Sequence, residues 1–284
     1  MPYRFMRFPE GKTKAVTFSY DDGVRTDMRL AEICEKYGMK ATFNICSSLI
    51  ASGEGEWRLS ANDMKDLVLR GHEIAVHGDE HKSPARCTDM EIIKEFLTCR
   101  EALENALGEV VTGMAYPDLP ISAAGEERYR EIRAILKSLG ISYSRTFGND
   151  GNGFDLPTDW LAWMPTIHHD NEKSLDYARQ FVELKVEEQY NSHRNPRVFY
   201  VWGHSYEFSN NDNWEHFDEL CEILSGKDDI WYATNIDIYR YSTAFEALVF
   251  NAANTRVYNP TSYDIWFECR GKVHCVKAGE TLNY

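Results

Sequence analysis

The sequence predicts an α/β fold: a closed or nearly closed barrel of about seven parallel strands with a small C-terminal antiparallel β appendage. Short apolar or β-branched runs alternate with longer helical patterns, as in a parallel sheet with right-handed crossovers. The length of 284 residues suits one large barrel. The alternation stops near Ser242, and short strand-like runs joined by Asn-Pro and Arg-Gly turns follow. We therefore predict a barrel domain over 1–243 and an appendage over 244–284.

The first half of the chain alternates regularly between strand and helix. Lys14–Tyr20 is a predicted strand that ends at an Asp-Asp-Gly turn, and Thr26–Tyr37 is a helix that stops at Gly38. The next strands are predicted at Ala41–Cys46, Glu73–Val76, Val111–Tyr116 and Ile141–Thr146. The helices between them are predicted from Ser60 to Arg70, from Thr88 to about Leu107 and from about Ser122 to Leu139. Capping boxes open the first two of these helices.

The second half is less regular. A loop rich in Gly, Asn and Pro runs from Gly148 to about Thr166. Helices are predicted at about Glu172–Tyr190 and Asn213–Leu224, and strands at Arg197–Trp202 and Ile230–Ala233. The appendage is predicted to contain strands at Ala247–Phe250, Arg256–Tyr258, Ser262–Glu268 and Lys272–Lys277.

Composition excludes several classes of function. The formal charge of −14, from 31 basic and 45 acidic residues, lacks the basic footprint of a nucleic-acid binder. The chain has no apolar run long enough to span a membrane and no apolar signal segment, so as written it is expected to be cytoplasmic. Seven scattered cysteines favour a reduced protein over a disulfide framework. The aromatic content of 13% fits either a heavy core or a groove that stacks on sugars.

Polar side chains follow several predicted strands, where catalytic groups of parallel α/β folds collect. Asp21 and Asp22 follow the first strand, and neighbouring carboxylates repel unless a cation or proton lies between them. A plain Asp-Gly turn with solvated acids is the alternative. His77 and His81 follow the third strand, and on one helical turn their spacing would place both imidazoles on one face. With Asp22 they form the ligand set of a catalytic Zn²⁺ or related ion, and exposed loop histidines are the alternative.

His204 follows an almost entirely apolar strand, which leaves two interpretations of this residue. It is either a core histidine with satisfied nitrogens or a general acid opposite a base such as Asp21. Taken alone, the residue does not decide between the two.

Together these motifs resemble the polysaccharide deacetylases, also called the NodB-homology or carbohydrate esterase family 4 domain. The family's first motif fits Ser19-Tyr20-Asp21-Asp22-Gly23, its second fits His77 to His81, and its fifth fits Val201-Trp202-Gly203-His204. The order of the motifs also fits, and the resemblance covers about residues 12–240. It implies a distorted (β/α) barrel that removes acetyl groups from N-acetylated glycans such as chitin or peptidoglycan, or O-acetyl groups from xylan.

Carried over by position, the resemblance implies a role for each motif residue. Asp21 would be the general base that deprotonates water, and His204 would protonate the leaving amine or alcohol. Asp22, His77 and His81 would bind the metal. Zn²⁺ is the expected ion, with Co²⁺, Ni²⁺ or Mn²⁺ as alternatives.

The third motif departs from the family pattern. The family usually has Arg-x-Pro-Tyr, whereas this chain has Ala115-Tyr116-Pro117-Asp118 and so lacks the Arg that orients the base. One hypothesis is that Arg145, after the next strand, reaches in from the neighbouring position. The backbone N–H of Asp118 can still stabilise the tetrahedral oxyanion, because that role requires no side chain. The fourth motif is only approximate at Asp159-Trp160.

Aromatic residues near these motifs are candidate sugar-stacking groups, with core packing as the alternative. The substrate-binding candidates are Tyr20, Pro117, Arg145, Trp160, Trp163, Trp202 and Tyr206. Another polar segment, His168-His169-Asp170, is interpreted as loop surface.

The sequence thus predicts a metal-dependent hydrolase that removes acetyl groups from an N- or O-acetylated carbohydrate, either an oligo- or polysaccharide or a small sugar. Two alternatives stay open: hydrolysis of a non-sugar amide such as a cyclic ureide, in the manner of an allantoinase, and a non-catalytic carbohydrate-binding relic. No nucleic-acid or membrane partner is expected. A homo-oligomer and the function of the appendage are left open.

Overall fold

The computed structural model describes residues 3–50, 57–148, 150–190 and 193–284. In chain order the strands are β1 (Arg4–Arg7), β2 (Lys14–Asp21), β3 (Thr42–Ile45), β4 (Glu73–Val76), β5 (Gly113–Ala115), β6 (Tyr143–Arg145), β7 (Ile167–His168), β8 (Arg197–Gly203), β9 (Ile230–Tyr232), β10 (Val249–Phe250), β11 (Arg256–Tyr258), β12 (Ile265–Cys269), β13 (Lys272–Val276) and β14 (Thr281–Asn283). The α-helices are α1 (Thr26–Lys36), α2 (Ala61–Leu69), α3 (Asp89–Leu107), α4 (Gly125–Ser138), α5 (Ser174–Glu183), α6 (Ser205–Asn210), α7 (Trp214–Leu224) and α8 (Asn235–Glu246). None of the helices in these ranges is both long and apolar enough to cross a bilayer.

One curled parallel sheet forms the centre of the fold, and the predicted α/β barrel class is confirmed. Its strands lie in the order β6-β5-β4-β3-β2-β8-β7, and β9 pairs with the first residues of β2. A parallel bridge between Arg145 and Trp163 lies between the two outer strands. The sheet is therefore a half-barrel, and the segment before β7 partly closes it by pairing with β6. The sequence-based list of strands lacks β7, which is two residues long.

Both faces of the sheet are covered, which explains why all eight residues of β2 are buried. Val16, Phe18 and Tyr20 pack between the sheet and the surrounding helices. Because side chains alternate along a strand, Thr17 and Asp21 face the other side, the interior of the half-barrel. The interior is polar, and Asp21 lies at its carboxyl end.

Helix α8 closes the opposite end of the half-barrel and was not predicted from the sequence. Asn235, its first residue, accepts a hydrogen bond from Thr17 Oγ1 at 2.7 Å and donates one to Tyr200 Oη at 2.5 Å. The Ile236 N–H donates to Glu73 Oε2 at 2.9 Å. The β-branched and aromatic residues of α8 favour a strand, but a capping box at Thr234 was a readable sign of a helix.

The appendage consists of two three-stranded antiparallel sheets, β1-β12-β13 and β10-β11-β14. The four predicted strands of this region correspond to β10–β13, whereas β1 and β14 were not predicted. A buried ion pair between Arg7 and Glu268, 2.5 Å long, joins β1 to β12. The division at residue 243 stays a prediction.

Candidate active site

Four strands bring the motif residues to one end of the half-barrel. Asp21 ends β2, Arg145 ends β6, His77 directly follows β4, and His204 directly follows β8. The carboxyl ends of parallel strands share one edge of a sheet, so these side chains meet although they are far apart in the sequence.

Asp21 is a buried carboxylate, with 2% of its surface exposed. Its Oδ2 lies 2.5 Å from Nη2 of Arg145, and its Oδ1 accepts a hydrogen bond from Asn44 Nδ2 at 2.8 Å. Burial alone would raise the pKa of Asp21, but the charge of Arg145, with the hydrogen bond from Asn44, outweighs it and holds this pKa below its usual range. The carboxylate is therefore ionised at neutral pH, when its lone pairs can accept a proton.

Asp22, His77 and His81 converge beside Asp21. Oδ1 of Asp22 lies 3.6 Å from Nε2 of His81 and 3.9 Å from Nε2 of His77. Cys46 Sγ belongs to the same group, in which all four ligand atoms lie within 4.8 Å of one another. Its thiol donates to the His77 carbonyl oxygen at 3.4 Å, and burial raises the pKa of Cys46, which favours the neutral thiol.

The two histidines lie on an irregular loop, so the expected helical turn is wrong. Gly78 and His81 both have positive φ, 85° and 62°. Buried Glu95 shapes this loop by accepting hydrogen bonds from the N–H groups of Glu80 and Lys82, at 2.8 and 2.9 Å. A Cβ on Gly78 would lie 2.5 Å from Oε1 of Glu95, so this contact requires glycine. Backbone geometry, not helical periodicity, brings the rings together.

The tautomer of His77 suits a metal ligand. Its Nδ1 lies 3.0 Å from the carbonyl oxygen of Ala115, and a carbonyl only accepts, so Nδ1 carries the proton. Burial lowers the pKa of His77, which keeps the ring neutral. Nε2 therefore presents a lone pair towards Asp22 and His81. The contact between Nδ1–H and a carbonyl oxygen is one that metal-bound histidines commonly make through their other ring nitrogen. This donor set fits a divalent ion such as Zn²⁺.

His204 lies across the site from the two histidines and is half-buried. Its Nδ1 is 3.3 Å from Oε1 of Glu207, which lies in the first turn of α6. Burial lowers the pKa of His204, but the carboxylates of Glu207 and Asp21 more than compensate and raise it above the usual value. Burial would raise the pKa of Glu207, but its contacts with His168 and His204 hold this pKa well below its usual range.

The remaining predicted residues differ in their distance from this site. Trp202 is near it, because the Arg145 guanidinium lies 4.5 Å from its ring centroid. Tyr206 is also near, 5.2 Å from the His204 ring. Pro117 is buried, whereas Asp118 is exposed with a φ of 63°, so its N–H lies in a left-handed turn after β5.

Three of the predicted aromatic residues pack in the core. Tyr20 is fully buried and stacks on His169 at 5.6 Å. Trp163 is 1% exposed and packs against Tyr200, and Trp160 packs against Trp163 and Tyr239. Tyr20 and Trp163 are buried and Trp160 is partly buried against Trp163 and Tyr239, so these rings are engaged in packing.

Sequence reasoning missed three residues next to the motifs. Asn44 is a polar residue in an otherwise apolar strand, and Glu207 lies three residues after His204, so both had readable signals. Trp57 had none: it is 56% exposed, and its ring lies 6.3 Å from that of Tyr206. The interpretation of His169 as loop surface is wrong, because its side chain is fully buried behind β7.

Comparisons with known proteins agree with this geometry. The polysaccharide deacetylase family model matches residues 9–144. No curated protein sequence matches the chain.

Solved structures similar to the chain share its fold. A Mycobacterium smegmatis protein assigned as a polysaccharide deacetylase aligns with a TM-score of 0.55 at 18% identity, covering 87% of this chain and 96% of that one. The Xyl-CE4 domain of a xylanase from the hindgut metagenome of Trinervitermes trinervoides aligns with a TM-score of 0.51 at 18% identity, covering 82% and 92%. A family 4 acetyl xylan esterase from Clostridium thermocellum, in complex with a cobalt ion, aligns with a TM-score of 0.50 at 14% identity, covering 81% and 92%. The resemblance carried by the motifs is thus confirmed: the polysaccharide deacetylase family model matches residues 9–144, and the chain has the fold of the carbohydrate esterase family 4 structures.

Proposed function

We propose that this protein is a metal-dependent hydrolase that removes acetyl groups from an N- or O-acetylated carbohydrate. One observation carries the proposal: a buried, charge-compensated Asp21 lies 3.8 Å from the Nε2 atom of His77, at the edge of a complete metal-donor set. If the Arg145–Asp21 ion pair were only structural, it would not require the His77 and His81 imidazoles and the Asp22 carboxylate beside it.

Asp21 is the proposed general base. Its ionised carboxylate accepts a proton from the attacking water, and Arg145 and Asn44 fix its orientation from the interior side. Arg145 acts as a positioning residue in this scheme. It supplies the charge that the altered third motif lacks, from the neighbouring strand.

His204 is the proposed general acid. The raised pKa favours the protonated ring, which can donate to the leaving amine or alcohol. Glu207 holds the ring from its Nδ1 side at 3.3 Å. The opposite nitrogen, Nε2, is therefore the atom that donates.

Asp22, His77 and His81 would hold the divalent ion. When bound, such an ion supplies Lewis-acid polarisation of the acetyl carbonyl. The neutral Nε2 of His77 and the carboxylate of Asp22 are the donors that Zn²⁺ or Co²⁺ accepts.

Aromatic side chains next to the site favour a sugar substrate. Trp57 and Tyr206 form a partly exposed pair beside His204, and Arg58, next to Trp57, donates to the carbonyl oxygen of Asp22 at 2.5 Å. The apolar C–H faces of sugar rings stack on such surfaces.

Acetate release from a panel of acetylated oligosaccharides tests the proposal. We expect release from at least one N- or O-acetylated glycan in the presence of Zn²⁺ or Co²⁺, and its loss after chelation. The Asp21→Asn variant should lower kcat/KM by about 10²–10⁴-fold, the usual contribution of a general base. Asp176→Asn, on the exposed face of α5, is the matched control and should leave it unchanged.

Several outcomes would contradict the proposal. Release that survives both chelation and Asp21→Asn would exclude the mechanism. Ring opening of cyclic ureides without acetate release from any glycan would assign the site to non-sugar amides. Glycan binding without hydrolysis of either class would identify a binding relic.

A further inference from the structure

A second cluster of potential metal ligands lies next to His204. It comprises His168, His169, Asp170 and Glu207, and we call it the His169 cluster. His168 ends β7, and the His169 N–H donates to the carbonyl oxygen of Trp202 at 2.9 Å, which fixes this segment against β8. None of the four residues belongs to the donor set formed by Asp22, His77 and His81.

His169 is the unusual member of the cluster. Its side chain is fully buried, stacked between Tyr20 and Phe208, and its ring packs against the bare backbone of Gly203. Neither ring nitrogen has a hydrogen-bond partner among the described residues. Burying a polar atom without a hydrogen-bond partner costs folding free energy, and a ligand on Nε2 would remove this cost.

Two carboxylates face this nitrogen. Nε2 of His169 lies 3.3 Å from Oε2 of Glu207 and 3.4 Å from Oδ1 of Asp170. Within the described ranges, neither carboxylate has a lysine or arginine at ion-pair distance. Their partners are histidine side chains, the Asn211 amide for Asp170 at 3.2 Å, and the His204 N–H, which donates to Oε2 of Glu207 at 3.1 Å. The two negative charges therefore converge on a neutral ring.

These separations match the edges of a small coordination polyhedron. Bonds of about 2.0–2.1 Å in a tetrahedral arrangement place neighbouring ligand atoms roughly 3.3–3.4 Å apart. His168 contacts both carboxylate residues. Its Nδ1 accepts the Asp170 N–H at 3.2 Å, so its Nε2 carries the proton and donates towards Glu207, 3.4 Å away. His168 thus orients a ligand and is not itself a ligand in this geometry.

We propose that His169, Asp170 and Glu207 bind a second divalent cation, of the Zn²⁺ or Mn²⁺ class, behind His204. Nitrogen and carboxylate donors together select such borderline ions. The carboxylates of Asp170 and Glu207 keep 32% and 25% of their side chains exposed, so an ion can enter from solvent while His169 closes the inner side. Glu207 connects the two sites, since its other oxygen, Oε1, faces His204.

Metal stoichiometry tests the proposal without any assay of activity. The full chain is stripped with a chelator, dialysed against Zn²⁺ and measured by elemental analysis and by calorimetric titration with Zn²⁺. We expect two ions per wild-type chain. Asp170→Asn should retain one, His81→Gln should retain the other, and the double variant should bind none. Glu172→Gln, an exposed acid two residues from Asp170, is the control and should still bind two.

The two single variants distinguish the site at His169 from the site next to Asp21. A wild-type chain that binds one ion, lost in His81→Gln and kept in Asp170→Asn, would overturn the second site and leave the first intact. Thermal unfolding of the metal-free proteins checks folding: Asp170→Asn should unfold at the wild-type temperature, because the substitution preserves shape at a partly exposed position. His169→Phe, which keeps the stacking on Tyr20 and Phe208, provides an independent variant and should also retain one ion.

Discussion

Asp21 shows how one side chain depends on residues from distant strands. It lies in the interior of the half-barrel, where an ionised carboxylate without a partner would be strongly disfavoured. Arg145 from β6 and Asn44 from β3 compensate for this cost through contacts of 2.5 and 2.8 Å. The altered third motif therefore does not leave the base unsupported.

Replacing Arg145 should move the acid limb of the pH–rate profile. A neighbouring arginine lowers the pKa of an aspartate by about 1–3 units, so Arg145→Met should raise the pKa of Asp21 and shift the acid limb of kcat/KM to higher pH by about one unit or more. The direction follows because Asp21 must be ionised to accept a proton, and its pKa is now held low. Arg145→Lys restores a charge and should recover part of the shift.

The alkaline limb provides the internal control for this experiment, since it reports His204. It should stay in place in both Arg145 variants. An acid limb that does not move in Arg145→Met would show that the ion pair is structural only.

At the scale of elements, the loop after β4 determines the donor geometry. Its hydrogen bonds to Glu95 on α3, together with the positive φ angles of Gly78 and His81, direct both imidazoles to Asp22. These contacts hold the loop in the geometry that positions the metal donors.

Two glycine variants separate backbone strain from loss of this geometry. Gly78 and Gly108 both have positive φ, 85° and 77°, but only Gly78 has a neighbour, Glu95, within reach of an added Cβ. Each Gly→Ala change should cost about 1–2 kcal/mol of stability through strain. Gly78→Ala should in addition weaken Zn²⁺ binding by about 10–100-fold, as loss of supporting contacts around a metal ligand does.

Calorimetric Zn²⁺ titration and chemical denaturation of the two variants provide the measurement. Equal Zn²⁺ affinity in both variants would show that the Glu95 contact does not hold the ligands in place.

At the scale of the whole molecule, α8 and three strands meet at a buried carboxylate. Glu73 accepts hydrogen bonds from Tyr143 Oη at 2.7 Å, Thr42 Oγ1 at 2.8 Å and the Ile236 N–H at 2.9 Å. Burial outweighs these donors and raises the pKa of Glu73 to about 7. This contact joins β3, β4 and β6 to α8 at the floor of the half-barrel.

Glu73 should make the stability of the protein depend on pH. Because its folded-state pKa is raised, its contribution is fully present below the unfolded pKa of 4.5 and is lost as the pH rises through about 7. Between pH 5.5 and 8, the free energy of unfolding should fall by about 2 kcal/mol relative to that of Glu73→Gln, at roughly 1.4 kcal/mol per pH unit until the folded pKa is reached. Urea denaturation of both proteins over this range measures the difference, and parallel pH profiles would contradict the shift.

The sequence by itself determined the alternation of strands and helices, the capping boxes at Ser60 and Thr88, and the positions of the acidic and histidine motifs. These features are local, because periodicity and capping depend on residues a few positions apart. Helix α8 escaped prediction since its β-branched and aromatic residues favour a strand until they pack beneath the sheet.

The tertiary structure decided which side chains lie next to the motif residues. Only folding places Arg145 on Asp21 and Glu207 next to His169, because these contacts join segments that are close in space and distant in sequence. It also decided that Tyr20 and Trp163 are core and Trp57 is surface, since burial depends on which face of the sheet the helices cover.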